Sequence, residues 1–162
     1  MNRYAKRVGT PAGDVILVAT SEAVIALAWS EAHLAGLGLA DAAPARACAP
    51  LSAAEKQLAE YFRRDRTAFD LPLAPEGTDF QRRVWDLLTL IPYGSTWSYR
   101  ELARRAGDAN AARAVGSANG RNPLSIFIPC HRVVRASGEM GGYAGGLPAK
   151  AFLLELERPV SR

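Results

Sequence analysis

The sequence is poor in metal-ligand side chains and has no long apolar run. Its 162 residues include only two cysteines, Cys48 and Cys130, and two histidines, His33 and His131. These four residues lack the paired spacing of a structural zinc site, so we expect neither a bound metal nor a cofactor. So few cysteines indicate free thiols and a cytoplasmic protein. No apolar run approaches the about 18 residues of a membrane span, and the N-terminus lacks the apolar core of a signal peptide, so no membrane partner is expected.

The excess of positive over negative charge is also small, but it is unevenly distributed along the chain. The chain has 20 Lys and Arg against 16 Asp and Glu, a net charge of +4. Residues 1–73 hold eight of each sign, whereas residues 74–162 hold twelve basic and eight acidic side chains. Seven arginines fall in one short stretch: Arg100, Arg104, Arg105, Arg113, Arg121, Arg132 and Arg135. Such a cluster suits a polyanion such as nucleic acid, although a solvated basic face is the simpler interpretation.

The composition indicates a folded chain with two domains. Apolar residues make up 49% and charged residues 22%, which is enough to build a core and excludes wholesale disorder. The segment 71–77 holds two prolines and a glycine, so it predicts a linker between domains at 1–73 and 74–162. Before the linker, three apolar runs predict strands, and Ser52 to Glu55 has the pattern of a capping box that begins a helix.

The part after the linker has the pattern of short helices. Thr78 to Gln81 and Ser98 to Glu101 are two further capping-box patterns. The second begins a helix to about Ala106, and after a glycine break Asn110 is expected to cap a helix towards Asn119. Two short helices around a tight turn are typical of a helix-turn-helix, a pattern that other small helical domains also produce.

The apolar run 124–128 predicts a buried strand, and Cys130 and His131 follow it. The thiolate is the reactive form of cysteine, and a neighbouring imidazole can take the thiol proton. A buried structural cysteine beside a hydrogen-bonded histidine is the alternative interpretation of this dipeptide. Cys48 lies in an Ala- and Pro-rich stretch, and we assign it no role.

Three motifs and an upstream segment occur in a fixed order around this dipeptide: Arg113-Ala114-Val115-Gly116, Asn119-Gly120-Arg121-Asn122-Pro123, Ile128-Pro129-Cys130-His131-Arg132-Val133-Val134 and Gly142-Tyr143-Ala144-Gly145-Gly146-Leu147. Together they closely resemble the O6-alkylguanine-DNA alkyltransferases, also called methylated-DNA–protein-cysteine methyltransferases. The resemblance covers about residues 78–157. Residues 1–73 share with that family only their size and the turn at residues 10–13.

The resemblance implies an α/β (α+β) fold and a DNA repair activity. It implies a small N-terminal RNase H-like sheet-and-helix domain, followed by a C-terminal helical winged helix-turn-helix domain. The implied partner is double-stranded DNA carrying O6-alkylguanine, with O4-alkylthymine as a further substrate. The base would be flipped out of the duplex, and its alkyl group would pass irreversibly to the protein's own cysteine in one turnover. We expect a monomer, with clustering on DNA left open.

The resemblance also implies a role for individual residues. Cys130 is the implied alkyl acceptor, His131 and Glu157 its activating pair, and Tyr99 the proton donor to the leaving guanine. Asn122 is implied to brace the turn before the cysteine. The implied DNA contacts are Tyr99, Arg113, Ala114, Gly116, Ser117 and Arg121, with Arg113 filling the gap left by the flipped base. The implied substrate pocket is formed by Cys130, Val133, Tyr143, Ala144 and Gly145.

Other interpretations of these residues stay open at this point. Glu157 fits an ordinary helix-face carboxylate, Tyr99 and Tyr143 fit core aromatics, and Arg113 fits a phosphate contact. A winged-helix regulator would explain the arginines but leave Cys130 idle. A cysteine hydrolase would use Cys130 and His131, but hydrolases usually bring nucleophile and base together from distant segments.

Overall fold

The computed structural model describes residues 1–45 and 48–159, and it divides into two compact units, Met1–Glu76 and Gly77–Arg162. The division lies inside the stretch expected to be a linker, three residues after the expected boundary at residue 73. The shift has a local cause, because Val24 N donates to Pro72 O (2.8 Å) and Ala74 N donates to Val24 O (3.0 Å). These bonds tie the first residues of the linker to the N-terminal unit. None of the described helices is both long and apolar enough to span a membrane.

The N-terminal unit is built on a four-stranded mixed sheet with the strand order β3-β2-β1-β4. The strands are β1 (Tyr4–Val8), β2 (Val15–Ala19), β3 (Val24–Ala28) and β4 (Ala43–Pro44). The first three are antiparallel neighbours, and β4 pairs with β1 in parallel. Every residue of β2 and β3 is buried, which explains why both are continuous apolar runs without alternation.

Two helices accompany this sheet, α1 (Glu31–Gly36) and α2 (Ala49–Phe62). The predicted capping box at Ser52 is wrong, because α2 begins three residues earlier, at Ala49. Ser52 N already donates to Cys48 O (3.0 Å), the first bond of the helical ladder. Glu55 pairs with Lys6 of β1 (2.8 Å) and does not cap the helix.

The C-terminal unit is mainly helical. Its helices are α3 (Asp79–Leu88), α4 (Tyr99–Arg105), α5 (Ala112–Gly120) and α6 (Leu147–Leu156), with 3-10 turns at Ala109–Ala111 and Cys130–Arg132. The short strands β5 (Trp97–Ser98) and β6 (Val133–Val134) pair in parallel. The predicted capping box of α3 is confirmed, since Gln81 N donates to Thr78 Oγ1 (3.1 Å) and Thr78 N donates to Gln81 Oε1 (3.0 Å).

Helices α4 and α5 form the predicted helix-turn-helix, supported from behind by α3, whose Trp85 Nε1 donates to Ala118 O (2.8 Å). The predicted cap at Asn110 is wrong, because Asp108 accepts from Asn110 N (2.9 Å) and so caps the 3-10 turn before α5. Ser98 caps α4 as predicted, but Glu101 binds Arg104 and Arg105 and leaves the box incomplete. The predicted fold class, an N-terminal sheet with helices and a C-terminal helical domain, is confirmed.

Candidate active site

A tight buried turn, and not the predicted strand, carries the chain into the site. The side chain of Asn122 closes it from both sides, accepting from Leu124 N (3.0 Å) and donating to Ile128 O (2.9 Å). Ile126 takes a φ of 73°, which a β-branched residue rarely adopts and which costs about 1–3 kcal/mol. The strand prediction is wrong because an apolar run reports burial, and this turn is buried along its whole length.

Cys130 is the first residue of the 3-10 turn that follows, and it is 4% exposed. Its backbone N–H donates to Ile128 O (2.8 Å), which holds the residue against the turn. Burial raises the pKa of the Cys130 thiol, while the side chains of Asn122 and Ser125 and the charge of Lys150 oppose that effect only in part. The resting group is therefore a neutral thiol, and its use as a nucleophile requires a base.

His131, which follows Cys130 in the chain, forms a buried pair with Glu157, with His131 Nε2 2.8 Å from Glu157 Oε2. Burial lowers the pKa of His131 by more than Glu157 raises it, so the ring is neutral. We assign the proton to Nε2, because a neutral ring must donate to the carboxylate at that distance. Nδ1, which has no hydrogen-bond partner in the described part of the chain, then carries the lone pair of a base.

Arg132 completes this cluster by binding Glu157 through two nitrogens. Its Nε lies 2.7 Å from Oε1 and its second guanidinium nitrogen 3.0 Å from Oε2, while the third donates to Ile91 O (2.7 Å). Burial opposes ionisation of the carboxyl group, but the hydrogen bonds from His131 and Arg132 outweigh it and lower the pKa of Glu157 to about 2. Arg132, counted above among the arginines available to a polyanion, is only 7% exposed and has this internal role.

Tyr99 begins α4 and is packed between two glycines. A Cβ added at Gly116 would lie 3.6 Å from the Tyr99 ring, and one added at Gly141 would lie 2.7 Å from its hydroxyl. Gly141 also has a φ of +71°, so both its backbone and its neighbour favour glycine. Burial raises the pKa of Tyr99, the Cys130 charge adds to this and Arg135 opposes it. The phenol therefore stays protonated, as a proton donor needs.

Sequence reasoning missed Lys150 of α6, which is fully buried. Its ammonium donates to the carbonyl oxygens of Val133 (2.7 Å), Met140 and Gly142 (3.2 Å). Burial lowers the pKa of Lys150 to about 8, an effect that the Cys130 charge opposes. Its spacing from Leu153 was a usable signal, because residues three apart share a helix face and Leu153 belongs to the apolar face.

The described residues hold no cluster of three or more His, Cys, Asp or Glu side chains that could bind a metal ion. The chemistry available here is that of a thiol, an imidazole with a carboxylate behind it, and a phenol. Such a set can move a proton and accept an electrophilic carbon.

Comparison with known proteins shows which family has these sequence features. The sequence profile of the 6-O-methylguanine DNA methyltransferase, DNA binding domain, matches residues 79–159. The chain belongs to this family. Two relatives named methylated-DNA–protein-cysteine methyltransferase are similar to it, one from Methanosarcina acetivorans (54% identity over 104 residues) and one from Mycobacterium bovis (55% over 107 residues). The matches cover 64% and 66% of this chain, and 67% and 65% of the relatives, about two thirds of their length.

Solved structures of the family match nearly the whole chain. A variant of Mycobacterium tuberculosis OGT has a TM-score of 0.87 at 40% identity, covering 99% of this chain and 95% of that one. The Mycobacterium tuberculosis OGT in complex with DNA has a TM-score of 0.84 at 41% identity, covering 95% and 92%. The family resemblance predicted from the motifs is thereby confirmed, and the fold similarity extends to the N-terminal unit, where the motifs gave little signal.

The residues that the family resemblance singled out occupy three kinds of position. Cys130, His131, Glu157 and Asn122 are buried in one cluster with its supporting turn. On α5, Arg113, Ala114 and Ser117 are exposed, as is Arg121 just after the helix, whereas Gly116 is half-buried against Tyr99. Among the expected pocket residues, Tyr143 and Gly145 are half-buried and Ala144 is exposed, but the side chain of Val133 is fully buried. The ring of Tyr143 lies edge-on to His131, with centroids 6.4 Å apart.

Proposed function

We propose that this chain is a DNA repair methyltransferase that moves the alkyl group of O6-alkylguanine in double-stranded DNA onto Cys130. The observation that carries the proposal is the buried cluster of Cys130, His131 and Glu157, formed within the same unit as a helix-turn-helix. The DNA-bound structure of a similar protein and the names of the curated relatives support it. A winged-helix regulator would have no use for a base and carboxylate beside a thiol.

The proton path begins at the Cys130 thiol. His131 Nδ1 accepts the proton, directly or through one water, and Glu157 stabilises the imidazolium that results. The thiolate attacks the alkyl carbon in line, so a carbon–sulfur bond forms while the bond from that carbon to guanine O6 breaks. The electron pair of the broken bond passes to the guanine, and Tyr99 donates its phenolic proton to it.

The helix-turn-helix delivers the base to this site. Helix α5 presents exposed Arg113, Ala114 and Ser117, with Arg121 at its end, to the groove and phosphates of the duplex. Gly116 permits the close approach of Tyr99 to α5. The target base leaves the stack to reach a buried thiol, and Arg113 occupies the space that it vacates. Tyr143, Ala144 and Gly145 contact the flipped base, and Val133, whose side chain is buried, belongs to the same pocket.

The reaction ends after one turnover. The product is a neutral thioether, and its hydrolysis would require water, activated by His131, to displace the Cys130 thiolate from an unactivated alkyl carbon. The Lys150 amine lies nearby, but its three N–H donors face three carbonyl groups, so it offers no lone pair. O4-alkylthymine carries the same kind of O-alkyl bond and is a further substrate of the same step.

Intact mass measurement after incubation with O6-benzylguanine tests the proposal. One added benzyl group, located on Cys130 by peptide mapping, is the expected result, and Cys130→Ser should abolish it while preserving DNA binding. Cys48→Ser is the matched control, because that thiol is also buried and donates to Thr20 O (3.3 Å). Repeated turnover would favour a hydrolase, and an unmodified protein that still binds DNA would favour a regulator.

Titration with duplex DNA carrying O6-methylguanine tests the stoichiometry. The yield of methylated protein should plateau at one methyl group per chain. Steady release of methyl groups beyond one equivalent would contradict single turnover.

A further inference from the structure

Ser125 is the one polar residue in the apolar run 124–128, and its side chain is fully buried. The other four residues of the run are buried as well, at 0–5% exposure. Ser125 Oγ has no hydrogen-bond partner in the described part of the chain. A buried hydroxyl without a partner lowers the stability of the folded protein, and alanine would fill the same place without that cost. The hydroxyl therefore calls for an explanation other than stability.

The turn that holds Ser125 keeps its conformation without this hydroxyl. Three backbone hydrogen bonds run through it, from Ile128 N to Leu124 O (2.9 Å), from Phe127 N to Ser125 O (2.9 Å) and from Cys130 N to Ile128 O (2.8 Å). The Asn122 side chain closes the turn from both sides. The hydroxyl is therefore held rigidly by bonds in which it takes no part.

The hydroxyl of Ser125 faces the sulfur of Cys130. Burial raises the pKa of the Cys130 thiol, and hydrogen bonding from the Ser125 side chain opposes that effect, which requires the two groups to be neighbours. The sulfur of a neutral thiol is a weak acceptor, whereas a thiolate is charged and accepts a hydrogen bond from a hydroxyl strongly. The hydroxyl is thus unpaired while Cys130 is a thiol and gains a partner when Cys130 ionises.

We propose that Ser125 is a catalytic residue, whose hydroxyl donates a hydrogen bond to the Cys130 thiolate while keeping its own proton. The thiol proton goes to His131, so Ser125 stabilises the negative charge left on sulfur and Glu157 the positive charge gained by the ring. Because the turn holds the hydroxyl in place beforehand, no reorganisation is needed when the charge develops. The proposal deepens the proposed function and rests on it only in taking Cys130 as the nucleophile.

The first test measures the rate of Cys130 alkylation by iodoacetamide against pH, in a Cys48→Ser background. The thiolate forms a carbon–sulfur bond and displaces iodide, so the reaction needs neither DNA nor an alkylated base. Ser125→Ala should raise the midpoint of the profile by about one pH unit. The rate at pH 7 should fall only about threefold, because a more basic thiolate is less abundant but also more nucleophilic.

The control for this test is Ser52→Ala in the same background, which removes an exposed hydroxyl. Its profile should coincide with that of the parent. At high pH, where every thiol is ionised, Ser125→Ala should react faster than the parent, since its thiolate is the more nucleophilic. An unchanged midpoint in Ser125→Ala would overturn the proposal.

The second test is urea unfolding of the same variants at pH 7. Ser125→Ala should unfold at the same or a higher urea concentration than the parent, because it removes a buried hydroxyl that has no partner at rest. Unimpaired stability together with a less acidic thiol is expected of a group retained for chemistry. A lower urea midpoint, or failure to fold, would show that the hydroxyl supports the turn through a buried water, and would overturn the proposal. The benzyl-transfer assay judges the proposed function separately, since Ser125→Ala should still accept one benzyl group on Cys130.

Discussion

At the scale of single residues, Glu157 holds the site together because its carboxylate binds two side chains at once, Arg132 and His131. Arg132 hydrogen-bonds to both oxygens and neutralises the carboxylate in the resting protein. His131 Nε2 lies 2.8 Å from Oε2, the oxygen that it shares with Arg132. When His131 takes the thiol proton, the cluster gains a positive charge next to an existing negative one. The developing imidazolium is therefore stabilised without movement of either partner.

Glu157→Gln should destabilise the protein by about 3 kcal/mol at neutral pH, because it leaves Arg132 buried and unpaired. The pKa of Glu157 in the folded state, about 2, lies below the about 4.3 of an unfolded glutamate. Its contribution is thus fully present above about pH 4.3 and is lost as the pH falls towards 2. Urea unfolding at pH 7, 4.5 and 3 should show the gap between wild type and variant narrowing at pH 3. Exposed Glu155→Gln is the control, and a gap that stays constant would contradict this account.

Tyr99→Phe should slow alkyl transfer about a hundredfold without shifting the pH dependence of Cys130, because its proton goes to the guanine. Glu157→Gln should behave differently, shifting the pH–rate profile towards that of a free thiol. Single-turnover rates on O6-benzylguanine over a pH series separate the two, since DNA binding does not enter. If Tyr99→Phe shifts the profile and Glu157→Gln does not, the base and the acid have been exchanged in our assignment.

At the scale of helices and turns, two capping-box patterns in this chain give a matched pair. Thr78→Ala removes an acceptor that α3 uses, and it should cost about 1 kcal/mol of stability. Ser52→Ala alters the same pattern inside α2, where Ser52 is exposed and beyond the cap, so it should change stability by only a few tenths of a kcal/mol. Urea unfolding of both variants measures the difference. Equal losses would mean that the Ser52 hydroxyl has a role in α2 that this structure does not show.

The sequence predicted local features better than those that depend on distant residues. Of the signals that act within four residues, the Thr78 box and the cap at Ser98 were confirmed. The Ser52 box and the Asn110 cap were wrong, because such a pattern does not determine where the helix begins. The turn at 122–128 could not be predicted, because its shape depends on the Asn122 amide, and composition reports only burial. Arg132 was counted among the arginines available to DNA because the sequence does not show which residue it contacts in the fold. Its partner Glu157 is 25 residues away, so only the fold reveals the pair.

Arg113 on helix α5 allows the proposed base flipping to be tested. Arg113→Ala should slow transfer from duplex DNA about tenfold and leave the reaction with free O6-benzylguanine unchanged, because only the duplex needs the extruded base replaced. Arg121→Ala, at the other end of the helix, is the control. Its loss on duplex should disappear at saturating DNA, as expected for a phosphate contact. If Arg113→Ala slowed the reaction with both substrates equally, Arg113 would maintain the structure of the substrate pocket and would not act in base flipping.

At the scale of the whole molecule, the basic character belongs to one unit. Residues 1–76 hold eight basic and nine acidic side chains, and residues 77–162 hold twelve and seven. Within the second unit the seven clustered arginines are not equivalent. Arg132 is buried on Glu157, and Arg104 and Arg105 share Glu101. The remaining four are exposed and form no ion pair with any described residue: Arg100, Arg113, Arg121 and Arg135.

This division predicts how DNA binding depends on salt. Each phosphate contact contributes about −0.9 to the slope of log K against log salt, so four free arginines predict a slope of about −3 to −4 on undamaged duplex. Arg121→Ala should reduce its magnitude by about 1, whereas Arg104→Ala should change it less, because Arg104 already pairs with Glu101 (2.7 Å). Fluorescence anisotropy at 50–300 mM salt measures all three proteins. A wild-type slope between about −5 and −5.5 would show that Arg104 and Arg105 exchange Glu101 for phosphate on binding, and Arg104→Ala would then match Arg121→Ala.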